Sequence, residues 1–101
     1  MEISNVTINT IDEHMANIRQ LMNCLDKSEQ KFKEQLTDEY RYFDTLKIYV
    51  RTNKEIPDNL ILILEGKLQN YKKTNKYRYS VAKTVIDYNK YIVENLGEFP
   101  F

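Results

Sequence analysis

Counting alternately three and four residues from Ile8 visits Ile8, Ile11, Met15, Ile18, Met22, Leu25, Glu29, Phe32, Leu36, Glu39, Phe43, Leu46 and Val50, and eleven of these thirteen positions are apolar. That spacing marks one face of a helix packed lengthwise on another helix. No Gly or Pro interrupts residues 1–56. Thr10-Ile11-Asp12-Glu13 has the form of a capping box, with Thr10 as N-cap and Glu13 reaching back. The pattern therefore predicts a first helix from about residue 10 to about residue 52. Helices average about 11 or 12 residues, so a break is expected in so long an element. Asp26–Ser28 and Thr37-Asp38 are the places for it.

The segment 53–59, Asn-Lys-Glu-Ile-Pro-Asp-Asn, predicts a turn. Pro57 suits the entry of a new helix, and Asp58 suits its positive N-terminal end. The second helix is expected from about residue 58 to about 96, stopped by Gly97 and Pro100. Its seam reads Ile61, Leu64, Leu68, Tyr71, Asn75, Arg78, Ala82, Val85, Asn89, Ile92 and Leu96, eight of eleven apolar. The fold class predicted is all-α: a long antiparallel helical hairpin or a three-helix bundle with coiled-coil-like packing, in one domain over residues 1–101. The competing assignment is a β-hairpin of residues 47–52 and 60–64, whose β-branched content fits strands. An isolated hairpin is marginal, and nothing else in the chain reads as a strand.

The second helix carries more apolar surface than one seam. Tyr77, Val81 and Tyr88 follow each other at spacings of four and seven, with Tyr91 beside them. Tyr pairs a large apolar ring with a polar tip, which suits interfaces. Those four residues, with Phe99 and Phe101 of the aromatic tail 97–101, are the expected interface with a protein partner or with a second copy in a homodimer. In a hairpin the tail is expected near the start of the first helix.

Composition narrows the reading. The chain has 101 residues, with 15 basic and 15 acidic side chains and a net charge of zero. It holds 2 Gly and 2 Pro, too few for most all-β folds and their tight turns. The longest apolar run, 60–64, is far short of the about 20 residues a membrane span needs. With no apolar leader at the start and one Cys, the chain reads as cytoplasmic and without a disulfide framework. Asn5-Val6-Thr7 matches the glycosylation pattern by chance in that setting.

Charge divides along the chain: residues 1–44 carry −4 and residues 66–90 carry +6. The expected cause is an acidic helix lying antiparallel to a basic one. With the turn centred near Ile56, Glu39 is expected near Lys73 and Glu29 near Lys83. The basic stretch interleaves Lys72, Lys73, Lys76, Arg78 and Lys83 with Tyr71, Tyr77 and Tyr79. Bases with stacking rings are the chemistry of nucleic-acid contact, and Lys72, Lys73, Lys76, Arg78, Tyr79 and Lys83 are its candidates. A neutral chain lacks the basic excess usual in such binders.

Catalytic and metal chemistry find little footing. His14 and Cys24 are ten residues apart, about 15 Å along one helix, too far to share an ion. Any Ser-His or Cys-His pair must use His14, the single histidine. Asp12/Glu13 and Asp38/Glu39 are adjacent pairs whose members face different directions on a helix. No Gly-rich phosphate loop exists. No enzyme, metal or cofactor is expected. The function expected is that of a non-catalytic interaction protein, a small regulator, inhibitor or adaptor; the alternative is a nucleic-acid-binding accessory protein using residues 67–83. In composition the chain resembles short helical accessory proteins of phages and mobile elements.

Overall fold

A computed structural model describes residues 2–96, the side chain of Leu96 aside. Four helices follow one another: α1 (Glu2–Cys24), α2 (Gln30–Arg51), α3 (Asp58–Thr74) and α4 (Lys76–Leu96). The molecule is elongated, 57 × 24 × 21 Å. α1 packs along α2, α3 packs along α4, and α4 lies along α1 to join the two hairpins. The all-α, helical-hairpin prediction holds, and residues 47–52 and 60–64 are helical apart from Thr52, so the β-hairpin alternative is discarded.

Each expected helix is two. The first breaks where Asp26 accepts a hydrogen bond from the Ser28 backbone N–H at 3.0 Å and starts a short 3-10 turn, Lys27–Glu29. Asp competes with helical hydrogen bonding through such local contacts, which makes Asp26–Ser28 a stop. The second breaks at Asn75, which has extended backbone angles (φ −156°, ψ 100°). Its N–H closes α3 on the Tyr71 carbonyl, and its Oδ1 accepts the Arg78 N–H at 3.0 Å. One residue thus ends one helix and caps the next. The expectation of an unbroken 58–96 helix fails there.

The start of the first helix also differs from expectation. α1 begins at Glu2, and Thr10 lies inside it. The Thr7 and Thr10 hydroxyls donate to the carbonyls of Ile3 and Val6, one turn back, instead of capping. Ser4 and Thr7 are buried on the same face as Ile11 and His14.

The α2–α3 connection matches the expected turn. Asn53 is left-handed (φ 56°). Its N–H donates to Val50, and the Lys54 N–H to Tyr49, a Schellman closure in which Asn tolerates the left-handed residue. Ile56 is fully buried and its N–H donates to Asn89 Oδ1 at 2.7 Å, which pins the connection to α4.

One core unites Ile11 and Met15, Phe43, Leu46 and Val50, Ile61 and Leu64, and Val81, Val85, Tyr88 and Ile92. Burying each large apolar side chain contributes about 1.5–3 kcal/mol. Both seams predicted from the pattern supply this core. They meet by folding each long element on itself rather than by pairing one element with the other.

Candidate functional site

Glu39 on α2 and Arg78 on α4 each interrupt an apolar seam, and the fold brings them together. Arg78 Nε donates to Glu39 Oε2 at 3.0 Å and Arg78 Nη2 to Oε1 at 3.1 Å, a bidentate pair. From α1, His14 Nε2 lies 2.7 Å from Glu39 Oε2. A carboxylate only accepts, so Nε2 carries the proton and buried Nδ1 has no partner. The His14 ring is 2% exposed and stands edge-on to Phe43 at 4.7 Å. Burial alone would raise the Glu39 carboxyl. Hydrogen bonds from His14 and Arg78, with the Arg78 charge, outweigh burial and hold it below the usual carboxylate range. No Ser hydroxyl or Cys thiol contacts His14 among the described residues. The network ties α1, α2 and α4 into one register.

Around it stand buried and half-buried tyrosines. The Tyr42 hydroxyl donates to the Leu60 carbonyl at 2.7 Å, and burial pushes it well above its ordinary value. Tyr71 is raised by burial and by the nearby Glu39 charge. Tyr42, Phe43 and Glu39 floor a cleft of about 480 Å³ between α2 and α3, rimmed by Gln35, Asp38 and Lys67. A smaller cavity of about 180 Å³, between α1 and the start of α4, is lined by His14, Asn17, Tyr77 and Arg78.

The expected interface on α4 divides. Val81 and Tyr88 are 1% and 0% exposed, buried within the single chain, and no partner can reach them. The Tyr88 hydroxyl donates to the carbonyls of Lys54 (2.9 Å) and Tyr49 (3.2 Å), and burial pushes it up to about 12. The reason for the correction is the second break. Once α3 folds back beside α4, α4 is flanked by α1, α2 and α3, and the tyrosine face turns inward. Tyr77 and Tyr91 remain exposed, with Asn17 Nδ2 donating to the Tyr77 hydroxyl at 2.9 Å. Phe99 and Phe101 lie outside the described residues.

The candidates for nucleic-acid contact are also separated. Lys72, Lys73 and Lys76 are exposed around the α3–α4 turn, and Lys83 is exposed and pairs with Asp87 at 3.6 Å. Tyr79 is half-buried, and Arg78 is committed to Glu39. Glu39 therefore meets Arg78 and His14 instead of the expected Lys73. Glu29 lies in the exposed α1–α2 turn, with no ion pair to Lys83.

No family model matches the chain, and it matches no curated protein and no solved structure.

Sequence reasoning missed one surface. A groove of about 320 Å³ between α3 and α4, at the edge of the core, is lined by Ile61, Glu65, Ile86, Lys90, Val93 and Glu94. Val93 in its lining is 42% exposed, and Leu62 on α3, outside the lining, is 66% exposed. The signal was present in the sequence, because Leu62, Ile86 and Val93 are apolar positions off the seam. Among the described residues no His, Cys, Asp and Glu side chains cluster as metal ligands, and no helix is long and apolar enough to cross a membrane.

Proposed function

We propose that this chain is a non-catalytic interaction module, a small helical regulator, inhibitor or adaptor that acts by occupying a protein partner's surface. The supporting observation is the groove on the α3–α4 hairpin, with Val93 42% exposed in its lining and Leu62 66% exposed elsewhere on α3. Contiguous exposed apolar surface rimmed by charge is the usual form of a protein-binding site. The polar network of His14, Glu39 and Arg78 serves this reading as a clamp that fixes α4, and with it the groove. The module works in the cytoplasm, where the exposed thiol of Cys24 stays reduced.

A photo-reactive amino acid at position 62, with position 31 on the distant α2 start as control, tests this reading in the producing cells. The expected result is a discrete protein adduct from position 62 and none from position 31. Adducts from both positions alike, or from neither, contradict it.

The exposed lysines 72, 73 and 76, gathered at one turn, favour a second reading as a nucleic-acid-binding accessory protein. A salt-dependent electrophoretic shift of labelled DNA or RNA, abolished by reversing those three charges, would establish it in place of the first.

A further inference from the structure

The two hairpins end at different heights. Asn17 of α1 meets Tyr77 at the start of α4, and Glu39 of α2 meets Arg78. Past that level α1 runs on to Cys24, about 10 Å further, and α2 reaches back to Gln30, about 13 Å, whereas α3 and α4 turn at Asn75. The result is a step, with the α1–α2 tip as its wall and the α3–α4 turn as its ledge. Two cavities lie in the corner, of about 180 Å³ and about 380 Å³, and both have Asn17 and Leu21 in their walls. Ile18, Leu21 and Tyr77 make the smaller one apolar, with Leu21 45% and Tyr77 40% exposed.

The charge of this corner has one sign. Lys72, Lys73 and Lys76 flank Asn75, which lines the smaller cavity, and all three are exposed. None of them pairs with a carboxylate among the described residues. Residues 14–25 of α1 and 66–86 of α3 and α4 contain no Asp or Glu. Glu39 is taken by Arg78 and His14. Glu13, near enough to raise the Tyr77 hydroxyl, stands one turn before Asn17 at the lower edge. On α2, Asp38 borders the separate cleft with Lys67, Glu34 lies a turn further toward the tip, and neither lines these two cavities. An apolar wall beside three unpaired cations complements a surface that is apolar and acidic.

We infer that this corner receives an acidic amphipathic helix of a protein partner, with a large apolar side chain seated against Leu21 and Tyr77 and carboxylates over Lys72, Lys73 and Lys76. This rests on the interaction-module reading and gives it a second surface, apart from the α3–α4 groove, with a partner of stated chemistry. A helix carries apolar and acidic residues on adjoining faces one turn apart, which is the arrangement the corner asks for. A nucleic-acid backbone would meet the lysines and leave Leu21 uncovered.

Fluorescence anisotropy with the full chain tests the inference, circular dichroism confirming that each variant is folded. The probe is a fluorescein-labelled synthetic helix of about 14 residues, four turns, with Leu along one face and Glu elsewhere. The same peptide with Lys for Glu, and a labelled single-stranded DNA, are the controls. The acidic peptide is expected to bind with a Kd below about 100 μM, more weakly as salt rises, and the basic one not to bind. Lys72→Glu, Lys73→Glu and Lys76→Glu together are expected to weaken binding at least about tenfold, and Leu21→Asp about tenfold. Leu62→Glu, outside the corner, is expected to leave it unchanged. An acidic peptide that does not bind up to about 1 mM, or that binds the charge-reversed chain as well as wild type, overturns the inference. Leu21→Asp binding as tightly as wild type overturns the apolar anchor and with it the amphipathic helix. DNA bound by wild type and lost on charge reversal, with no binding of the acidic peptide, assigns the corner to nucleic acid instead. Cross-linking from position 62 tests the underlying reading at the other surface, so the two failures are told apart.

Discussion

The two faces of α4 differ by a shift of about one residue in the helical pattern and by everything in their surroundings. The inner face, Val81, Val85, Tyr88 and Ile92, is fully enclosed by the other helices. The outer face, Ile86, Lys90 and Val93, borders a groove that no described residue fills. By residue type the inner face looks the better interface, because it carries the tyrosine. Burial reverses that assignment. A Tyr whose hydroxyl reaches two backbone carbonyls is a core residue with its polar tip satisfied, and its presence says nothing of a partner. The smaller apolar residues between charges mark the free surface.

The inner face should tolerate damage least. Tyr88→Ala removes a fully buried ring and two hydrogen bonds, and should cost about 3–5 kcal/mol, a large share of a small domain's stability. Thermal unfolding followed by circular dichroism should show the loss in dilute protein, where association plays no part. An unchanged melting temperature would place Tyr88 on the surface after all.

The polar centre should be next. Glu39→Gln leaves Arg78 without its anionic partner, and should destabilise by about 1–3 kcal/mol, the partial exposure of Arg78 moderating the loss. The same pair sets an acid limit. The Glu39 pKa is lower in the folded than in the unfolded chain, so the unfolded state takes up the proton first. The contribution is complete above the unfolded value of about 4.5 and disappears as pH falls through the lower folded value. Chemical denaturation at a series of pH values should show this acid loss in wild type and less of it in Glu39→Gln.

Tyr88 sets an alkaline limit of opposite sign. Its folded pKa of about 12 stands above the unfolded value of 10, so its contribution is complete below pH 10 and declines between about 10 and 12. Tyr88→Phe, melted across that range, should lose less stability with rising pH than wild type.

The outer face should barely register in stability. Leu62→Glu and Val93→Glu, at exposed positions, should shift unfolding by no more than about 0.5 kcal/mol. A large loss of stability in either would make the groove part of the core.

The contrast also shows which parts of the fold the residue pattern carries. Most of each seam is core, because a helix that buries one face must repeat apolar residues at its own period, but Phe32 of the first is 46% exposed and Val81 and Tyr88, off the second, are buried. The turn at 53–59 and the break at Asp26–Ser28 are visible because Pro57, Asp58 and Asp26 act locally. The break at Asn75 is not, because Asn serves equally as a seam interruption and as a cap. Only the tertiary contacts of α3 with α4 decide between them. The misplaced start of α1 has a similar origin: Thr10 and Glu13 fit a capping box, and the helix runs on through Ser4 and Thr7 because their small side chains pack against the bundle. Glu39 and Arg78 were recognisable as interruptions, but their pairing depends on the second break. Without it, antiparallel bookkeeping assigns Glu39 to Lys73. The interface residues were misassigned for the same reason, since the fold-back of α3 determines which side of α4 faces inward.

Hydroxyl-radical footprinting of wild type, read residue by residue at low and high protein concentration, tests the division of α4 most directly. Val81 and Tyr88 should be unreactive at both concentrations. Leu62 and Val93 should react at both concentrations. A Tyr88 that reacts when dilute and is protected when concentrated would contradict the account and return the interface to the tyrosine face.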